Sequence, residues 1–126
     1  MPLVSNGVKE FNLQTGKLGE EIAKDYLEKN GYVILEQNYE TKYAEIDLVA
    51  EKDKELIVVE VRTKRGDLFG TPEESLDKRK MRKLWFNAQG YVNRIKWSGS
   101  YRIDAVCIVL KLDNTVERLE HYENII

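Results

Sequence analysis

The chain has 126 residues, of which 20 are lysine or arginine and 22 are aspartate or glutamate, so its formal net charge is -2. This length fits one domain with a single hydrophobic core. No stretch approaches the roughly 20 apolar residues that span a bilayer, and no signal-peptide pattern opens the sequence, so neither a membrane protein nor a secreted one is expected. Cys107 is the single cysteine, which excludes an internal disulfide and favours a cytoplasmic location.

The charges are distributed unevenly along the chain. Residues 62–102 hold 11 lysines and arginines but only 4 acidic residues, a local balance of +7. Aromatic residues interspersed in this segment include Trp85, Phe86, Tyr91, Trp97 and Tyr101. A basic segment with interspersed aromatic residues indicates a surface that contacts a polyanion, nucleic acid above all. The alternative is a helix whose solvated face happens to be basic.

The N-terminal part divides into an arm and a helix. Residues 1–12 show no hydrophobic period and include proline, serine and glycine, so we expect a loose arm there and a single domain over residues 13–126. Over residues 13–30, apolar side chains recur every three or four positions, and Gly31 supplies a stop signal. The domain is therefore predicted to begin with an amphipathic helix.

Three residues of this predicted helix are unusual for their positions. Gly16 and Gly19 each disfavour a helix by about 1 kcal/mol relative to alanine, which suggests that another backbone approaches closely. Glu20 lies near the edge of the apolar stripe and is the one acid of this helix that could reach inward over a sheet. An ordinary boundary glutamate is the alternative interpretation of Glu20.

A β-hairpin is predicted over residues 45–64, because two alternating runs rich in valine and isoleucine flank a short polar segment. With Asp53 and Lys54 as the loop, the facing pairs are Val49–Val58, Asp47–Glu60 and Glu45–Arg62. Alternation of side chains then separates an apolar face from a charged face. The predicted apolar face holds Ile46, Leu48, Ala50, Ile57, Val59 and Val61. The predicted charged face holds Glu45, Asp47, Glu60, Arg62 and Lys64.

This pairing sets the carboxylates of Asp47 and Glu60 opposite each other. Directly opposed like charges destabilise a sheet, because cross-strand Cβ atoms lie only about 5 Å apart. A cation between the two would relieve the repulsion, and the candidates are a divalent metal ion, which prefers hard oxygen ligands, or the neighbouring Arg62 and Lys64. A solvated outer face, where salt screens charges over about 8 Å, is the alternative.

A long second helix is predicted after the hairpin. Residues 71–74 form a capping box that places the start of the helix at Thr71, and apolar residues keep helical spacing to about Ile95. Lys80 shares a row with two leucines, so its ammonium group is expected at the border of the sheet. The Lys83 side chain is expected to point away from the core, so it is a better candidate for contact with solvent or phosphate.

Three further strands complete the pattern. Residues 32–38 precede the hairpin, residues 101–110 form an interior strand that is apolar on both faces after Asp104, and residues 115–122 form an edge strand. His121 has no evident partner and is interpreted as structural or exposed rather than catalytic. The order αβββαβ with a further strand predicts the α/β (α+β) class, with a mixed sheet flanked by helices.

Motifs along nearly the whole chain resemble the YraN-like bacterial family. They are Gly-Lys-Leu-Gly-Glu at 16–20, Gly-Tyr at 31–32, Glu-Ile-Asp-Leu-Val at 45–49, Val-Glu-Val-Arg-Thr-Lys at 59–64, Phe-Gly at 69–70, Lys80 and Arg-Ile-Asp at 102–104. The core of this family is similar to the PD-(D/E)XK nuclease superfamily, particularly to archaeal Holliday-junction resolvases. The resemblance implies a restriction-endonuclease-like αβββαβ core.

The resemblance also implies a site and an activity. Asp47 matches the metal-binding aspartate of the superfamily, Glu60 matches the acid of its second motif, and Glu20 matches a helix-borne acid of the resolvases. Asp47 and Glu60 are then expected to hold Mg²⁺ or Mn²⁺, and the protein to hydrolyse phosphodiester bonds of structured or branched DNA. The residues then expected to bind nucleic acid are Lys64, Arg65, Lys80 and Lys83.

One catalytic position departs from the superfamily pattern, because Arg62 stands where the superfamily has a lysine. Arginine, with a pKa above 12, cannot readily act as a base, although it can clamp a phosphate. Lys64 or Lys80 could take the place of that lysine. The alternatives to an endonuclease are a nucleic-acid-binding module without turnover and an interaction domain with a merely solvated basic helix. A homodimer is compatible with the resemblance, but the sequence identifies no dimer face.

Overall fold

In the computed structural model, which describes residues 6–42, 44–66 and 70–126, two α-helices and five β-strands follow the predicted order. The helices are α1 (Asn6–Lys29) and α2 (Lys78–Arg94). The strands are β1 (Val33–Glu40), β2 (Glu45–Lys52), β3 (Glu55–Arg65), β4 (Tyr101–Leu110) and β5 (Val116–Tyr122). They form one sheet in sequence order, with β3 parallel to β4 and the other neighbours antiparallel. This α+β arrangement confirms the predicted fold class and fits a restriction-endonuclease-like core.

The two helices cover opposite faces of the sheet. Ala23 and Leu27 of α1 pack in one buried cluster that includes Val59 of β3. Ala88 of α2 packs in a second cluster that includes Val58, the neighbour of Val59 on the same strand. The central strands are therefore buried on both sides, as expected for a parallel pair whose crossover is a helix. Within the described residues, no helix combines the length and hydrophobicity needed to cross a bilayer.

The hairpin of β2 and β3 has the predicted register from its loop to Leu48–Val59, but the predicted pairs Asp47–Glu60 and Glu45–Arg62 are not among its backbone pairs. Its backbone pairs are Lys52–Glu55, Glu51–Leu56, Ala50–Ile57, Val49–Val58 and Leu48–Val59. Asp53 and Lys54 have φ angles of 51° and 67°, and two positive φ values are what a two-residue type I′ loop requires. Asp47 and Glu60 come directly after the last of these pairs.

Ile46 lies on the other face of β2 from the one that strict alternation predicts. It packs on the α2 side together with Val49, so the predicted apolar face is wrong for this residue. The alternation breaks at Asp47, whose carboxylate accepts the Val61 N–H at 2.8 Å. At the same level of β1, Asn38 has a φ of 48°. Both strands therefore leave the regular extended conformation at this point.

Helix α1 begins at Asn6, so the prediction of a loose arm over residues 1–12 is wrong for residues 6–12, while residues 1–5 lie outside the described part. The side chains of these first turns are exposed, so no apolar period marks them in the sequence. A helix that is already packed extends at little cost, because each further residue adds one hydrogen bond.

Helix α2 begins later than the capping box predicts. The Glu74 N–H does donate to Thr71 Oγ1 at 3.3 Å, but this turn belongs to a short 3₁₀ helix, Glu73–Ser75. The chain then leaves the helical conformation, and Asp77 caps α2 by accepting the Lys80 N–H at 2.8 Å. Aspartate is among the strongest N-cap residues, so the start of the helix moves to this second signal.

Helix α1 approaches β3 closely at one of its two glycines. A Cβ atom on Gly19 would lie 1.8 Å from Thr63 Oγ1, so the expected close approach is confirmed there, although the partner is a side chain. A Cβ atom on Gly16 would meet no described atom within 4 Å, so the same expectation is wrong for Gly16. The contact at Gly19 brings the next residue, Glu20, towards the end of the hairpin.

Replacing Gly19 with alanine is expected to lower the free energy of unfolding by about 1–3 kcal/mol, because extra atoms in a filled contact force a backbone shift. The matched change Gly16→Ala is expected to raise it by up to about 1 kcal/mol, since alanine is the better helix former and the space is open. Urea unfolding followed by tryptophan fluorescence measures both. Equal effects of the two changes would show that α1 is not held against β3 at Gly19.

Candidate metal centre

Acidic side chains from α1 and β2 meet beside the end of the hairpin ladder. Glu20 of α1 and Glu45 and Asp47 of β2 each offer a carboxylate oxygen, and these three atoms lie within 4.8 Å of one another. The Asp47 carboxylate is fixed by the Val61 N–H of β3. These contacts bring together two of the acids that the sequence predicted, Glu20 and Asp47, and add Glu45.

The third predicted acid, Glu60, joins the cluster through Asp47. Its side chain is only 3% exposed. Burial, followed by the adjacent Glu60 carboxylate, raises the pKa of Asp47 well above its ordinary range. Among the described residues, the buried Oε2 atom of Glu60 has no hydrogen-bond partner and makes ion pairs alone. The residues present therefore fit a hard divalent cation, which would bind such carboxylate oxygens.

Two cationic side chains approach Glu60 at different distances. The Lys80 ammonium of α2 lies 3.0 Å from Glu60 Oε2, close enough for an ion pair but without the angle of a hydrogen bond. Arg62 Nη1 is 3.9 Å from the same oxygen. The Arg62 guanidinium is instead held by Ser75, because its Nε donates to Ser75 Oγ at 2.7 Å. Lys80 is thus the nearer cation.

Asn38 links the two outer acids of the cluster. Its Nδ2 donates to Glu20 Oε1 at 2.5 Å and to Glu45 Oε1 at 2.9 Å. Burial raises the pKa of Glu20, the Asn38 hydrogen bond opposes this, and the charges of Glu45 and Glu60 raise it further. Neither Asn38 nor Glu45 was among the site residues predicted from the sequence. The one available signal was that asparagine tolerates the positive φ that aims its side chain here.

The acids line a cavity of about 660 Å³ whose walls also carry predicted nucleic-acid-binding residues. Lys64, Arg65 and Lys80 all line it. Arg65 bridges to α1, where its Nε donates to Thr15 Oγ1 at 2.9 Å and its guanidinium lies 4.7 Å from the centre of the Phe11 ring. The fourth predicted residue, Lys83, lies on the wall of a neighbouring concavity.

A second acidic cluster on β4 and β5 is arranged differently. Asp104, His121 and Glu123 also place ligand atoms within 4.8 Å of one another. Here the Arg102 guanidinium occupies the position of a cation, with nitrogen atoms 2.9 and 3.2 Å from the two Asp104 oxygens and 3.3 Å from Glu123. His121 lies 2.7 Å from Asp104 and 3.0 Å from the Tyr26 hydroxyl. His121 therefore has partners that the sequence did not reveal, and these are structural contacts.

The protein has a mixed sheet that is covered by helices, and an acidic centre at the end of the hairpin. These features define a restriction-endonuclease-like α+β protein. The chain belongs to the uncharacterised protein family UPF0102, a YraN-like family, whose model matches residues 19–108. That range includes all four acids of the centre and Lys80.

Relatives in this family cover much of the chain. A UPF0102 protein of Syntrophomonas wolfei is 51% identical over 74 residues, which are 59% of this chain and 64% of that protein. A UPF0102 protein of Porphyromonas gingivalis is 38% identical over 109 residues, 86% of this chain and 81% of that protein. A UPF0102 protein of Persephonella marina is 41% identical over 100 residues, 79% and 86% respectively.

The Asp104 cluster predicts how stability depends on pH. Burial by itself raises the pKa of Asp104, but hydrogen bonds from His121, Arg102 and the Asn124 N–H hold it below its ordinary value of 3.8. The unfolded chain therefore binds a proton at higher pH than the native one. This carboxylate stabilises the native state above about pH 4, and the contribution is lost as the pH falls further.

Asp104→Asn is expected to lower the free energy of unfolding by about 3–5 kcal/mol at neutral pH, because it removes one partner of a buried ion pair. It should also flatten the loss of stability below pH 4. Urea unfolding at a series of pH values measures both effects, with the exposed Glu123→Gln as control. An unchanged acid slope in Asp104→Asn would contradict this account.

Mg²⁺ or Mn²⁺ is expected to raise the melting temperature, because an ion that binds only the native state adds about 2.7 kcal/mol at a hundredfold excess over Kd. Asp47→Asn should abolish this shift without lowering the metal-free melting temperature, since asparagine is an uncharged group like the protonated Asp47 and keeps the oxygen that accepts the Val61 N–H. Scanning fluorimetry with added metal or EDTA tests this. A shift that survives in Asp47→Asn would place the ion elsewhere.

Proposed function

We propose that the protein is a metal-dependent endonuclease that hydrolyses phosphodiester bonds of structured or branched DNA in the cytoplasm. The observation that carries the proposal is the crowding of Glu20, Asp47 and Glu60, in which a buried Glu60 oxygen makes ion pairs but no hydrogen bond among the described residues. Asp47 and Glu60 would hold Mg²⁺ or Mn²⁺, which take carboxylate ligands and keep several waters. The unpaired, buried Cys107 accords with a reducing compartment.

The chemistry divides between the ion and the side chains. When bound, the ion lowers the pKa of a coordinated water and neutralises charge on the phosphate oxygens. Lys80 stands beside Glu60 and can hold the attacking water or a phosphate oxygen. Arg62 stays charged and is suited to clamping a phosphate. Lys80 therefore fills the role that the superfamily gives to the lysine at the position of Arg62.

The basic residues that line the cavity would bind the substrate. Lys64 and Arg65 continue β3 beyond the acids, and Arg65 is braced against α1 by Thr15 and Phe11. Contacts of this kind bind the phosphate backbone without reading its sequence, so affinity should fall as salt rises. A cavity lined by lysine and arginine therefore agrees with a substrate that is recognised by its shape and not by its sequence.

Cleavage of a four-way DNA junction and of a linear duplex, each with Mg²⁺ or Mn²⁺, tests the proposal. Asp47→Ala is expected to abolish cleavage and keep binding. Lys80→Ala is expected to reduce the rate about 10²- to 10³-fold, as for loss of one group that stabilises charge in the transition state. Arg62→Ala should cost less than Lys80→Ala, and Glu123→Gln serves as the control. Equal cleavage by the native chain and Asp47→Ala would exclude this centre.

A second candidate function is a nucleic-acid-binding module that keeps the nuclease fold without turnover. Arg62 favours it, because it replaces the lysine of the superfamily. The same experiment separates the two functions, since salt-sensitive binding without cleavage under any metal condition would support the module.

A further inference from the structure

A second concavity of about 830 Å³ adjoins the acidic centre, between α2 and the end of β1. This concavity, the α2 groove, has Tyr39 of β1 on one side and Phe86 of α2 on the other. Ala44, just before β2, lines both the α2 groove and the acidic cavity. A volume of this size suits a ligand of a few hundred cubic ångströms.

The α2 groove exposes an aromatic ring that the core does not use. The Phe86 side chain is 62% exposed although it lines the groove. Tyr91, another lining residue, is buried and packs edge-to-face on Tyr39 with ring centres 5.0 Å apart. An aromatic lining with one open ring is a surface on which a planar ligand can stack.

The charge around this surface is mainly positive. Lys42, Lys83 and Arg94 line the α2 groove, and Glu40 is the one acid among its described lining residues. The Arg94 guanidinium lies 5.5 Å from the centre of the Tyr39 ring and donates to the Tyr39 hydroxyl. Cations beside an open aromatic ring match the chemistry of a nucleotide, whose base is planar and whose phosphate is anionic.

The floor of the groove offers an oriented amide. Asn87 is 7% exposed, and its Oδ1 accepts a hydrogen bond from Thr41 Oγ1 at 2.9 Å. A side-chain amide can pair with the edge of a base through its donor and acceptor atoms. Stacking surface, cations and amide are therefore all present in one groove.

Helix α2 connects the groove to the acidic centre. Lys80, Lys83, Asn87, Gly90 and Arg94 follow one another at spacings of three or four residues, which places them on one side of the helix. Lys80 contacts Glu60 at the acidic centre. Asn87 is seven residues farther on, roughly 10 Å along the helix axis.

We propose that the α2 groove holds an unpaired base of the nucleic acid whose backbone lies at the acidic centre, with the base stacked on Phe86 and adjacent phosphates bound by Lys83 and Arg94. This inference rests on the proposed function and narrows its substrate. A base inside a perfect duplex has both faces covered by its neighbours, so it would first have to be flipped out of the stack, which costs free energy. The preferred substrate is then a nucleic acid with an unpaired nucleotide close to the bond that is cut.

The test uses a DNA duplex with a single bulged 2-aminopurine and a fully paired duplex of the same length, both bound in EDTA so that no cleavage occurs. Binding should quench the bulged 2-aminopurine. Phe86→Ala should weaken binding of the bulged DNA by roughly 5- to 150-fold, the range for loss of one stacked base, and leave binding of the paired DNA unchanged. Phe86→Trp should restore both the quenching and the affinity.

The outcomes separate this inference from the proposed function. Quenching that depends on Phe86, in a protein that cuts no DNA with any metal, would support the groove and overturn the nuclease. Cleavage that depends on Asp47, with no quenching or no effect of Phe86→Ala, would overturn the groove alone. If Phe86→Ala instead converts a dimer to a monomer in sedimentation experiments without affecting DNA binding, a second copy covers the groove and the inference fails.

Discussion

The crowding of Asp47 against the buried Glu60 is the constraint on which the arrangement of this molecule depends. Two carboxylates at the end of a hairpin repel each other, and an apolar interior would make the repulsion worse. The fold meets this by ending the regular ladder there and giving Asp47 a backbone N–H as partner. The contact at Gly19 holds α1 close to β3, and this places Glu20 beside the Asp47 carboxylate.

A comparison of the two acidic clusters shows which contacts the Glu60 carboxylate lacks. Asp104 is completely buried, yet Arg102, His121 and a backbone N–H satisfy both of its oxygens. Glu60 is almost as buried, and its Oε2 has ion-pair distances but no hydrogen bond among the described residues. The Asp104 cluster is therefore a complete network of hydrogen bonds and ion pairs, whereas Glu60 Oε2 makes ion pairs alone among the described residues.

The sequence predicted those parts of the fold that follow from regular patterns. Alternating valine and isoleucine with the Asp53-Lys54 loop specified the register of the paired part of the hairpin, because a one-residue slip would exchange the side chains that pack on the α1 side for those that pack on the α2 side. From that register the encounter of Asp47 with Glu60 followed.

The errors fall where a local interaction overrides a pattern. Ile46 changes face because Asp47 bonds to the backbone, and Asn38 enters the site through a positive φ that no period reports. Helix α2 starts later than predicted because two capping signals lie within a few residues of each other, and Asp77 is the one that caps the α-helix. Glu45 was placed on the charged face but left outside the site, because only the three-dimensional position of Glu20 shows that both acids share Asn38.

Helix α2 carries Lys80 at the acidic centre and Phe86 in the neighbouring groove on one continuous run of hydrogen-bonded backbone. A helix of this length is stiff, so the spacing between Lys80 and the groove is set by its rise per residue. If a base is held at one end while a phosphate is presented at the other, the helix acts as a ruler. The position of the cut would then be counted from the unpaired nucleotide, whatever the surrounding sequence.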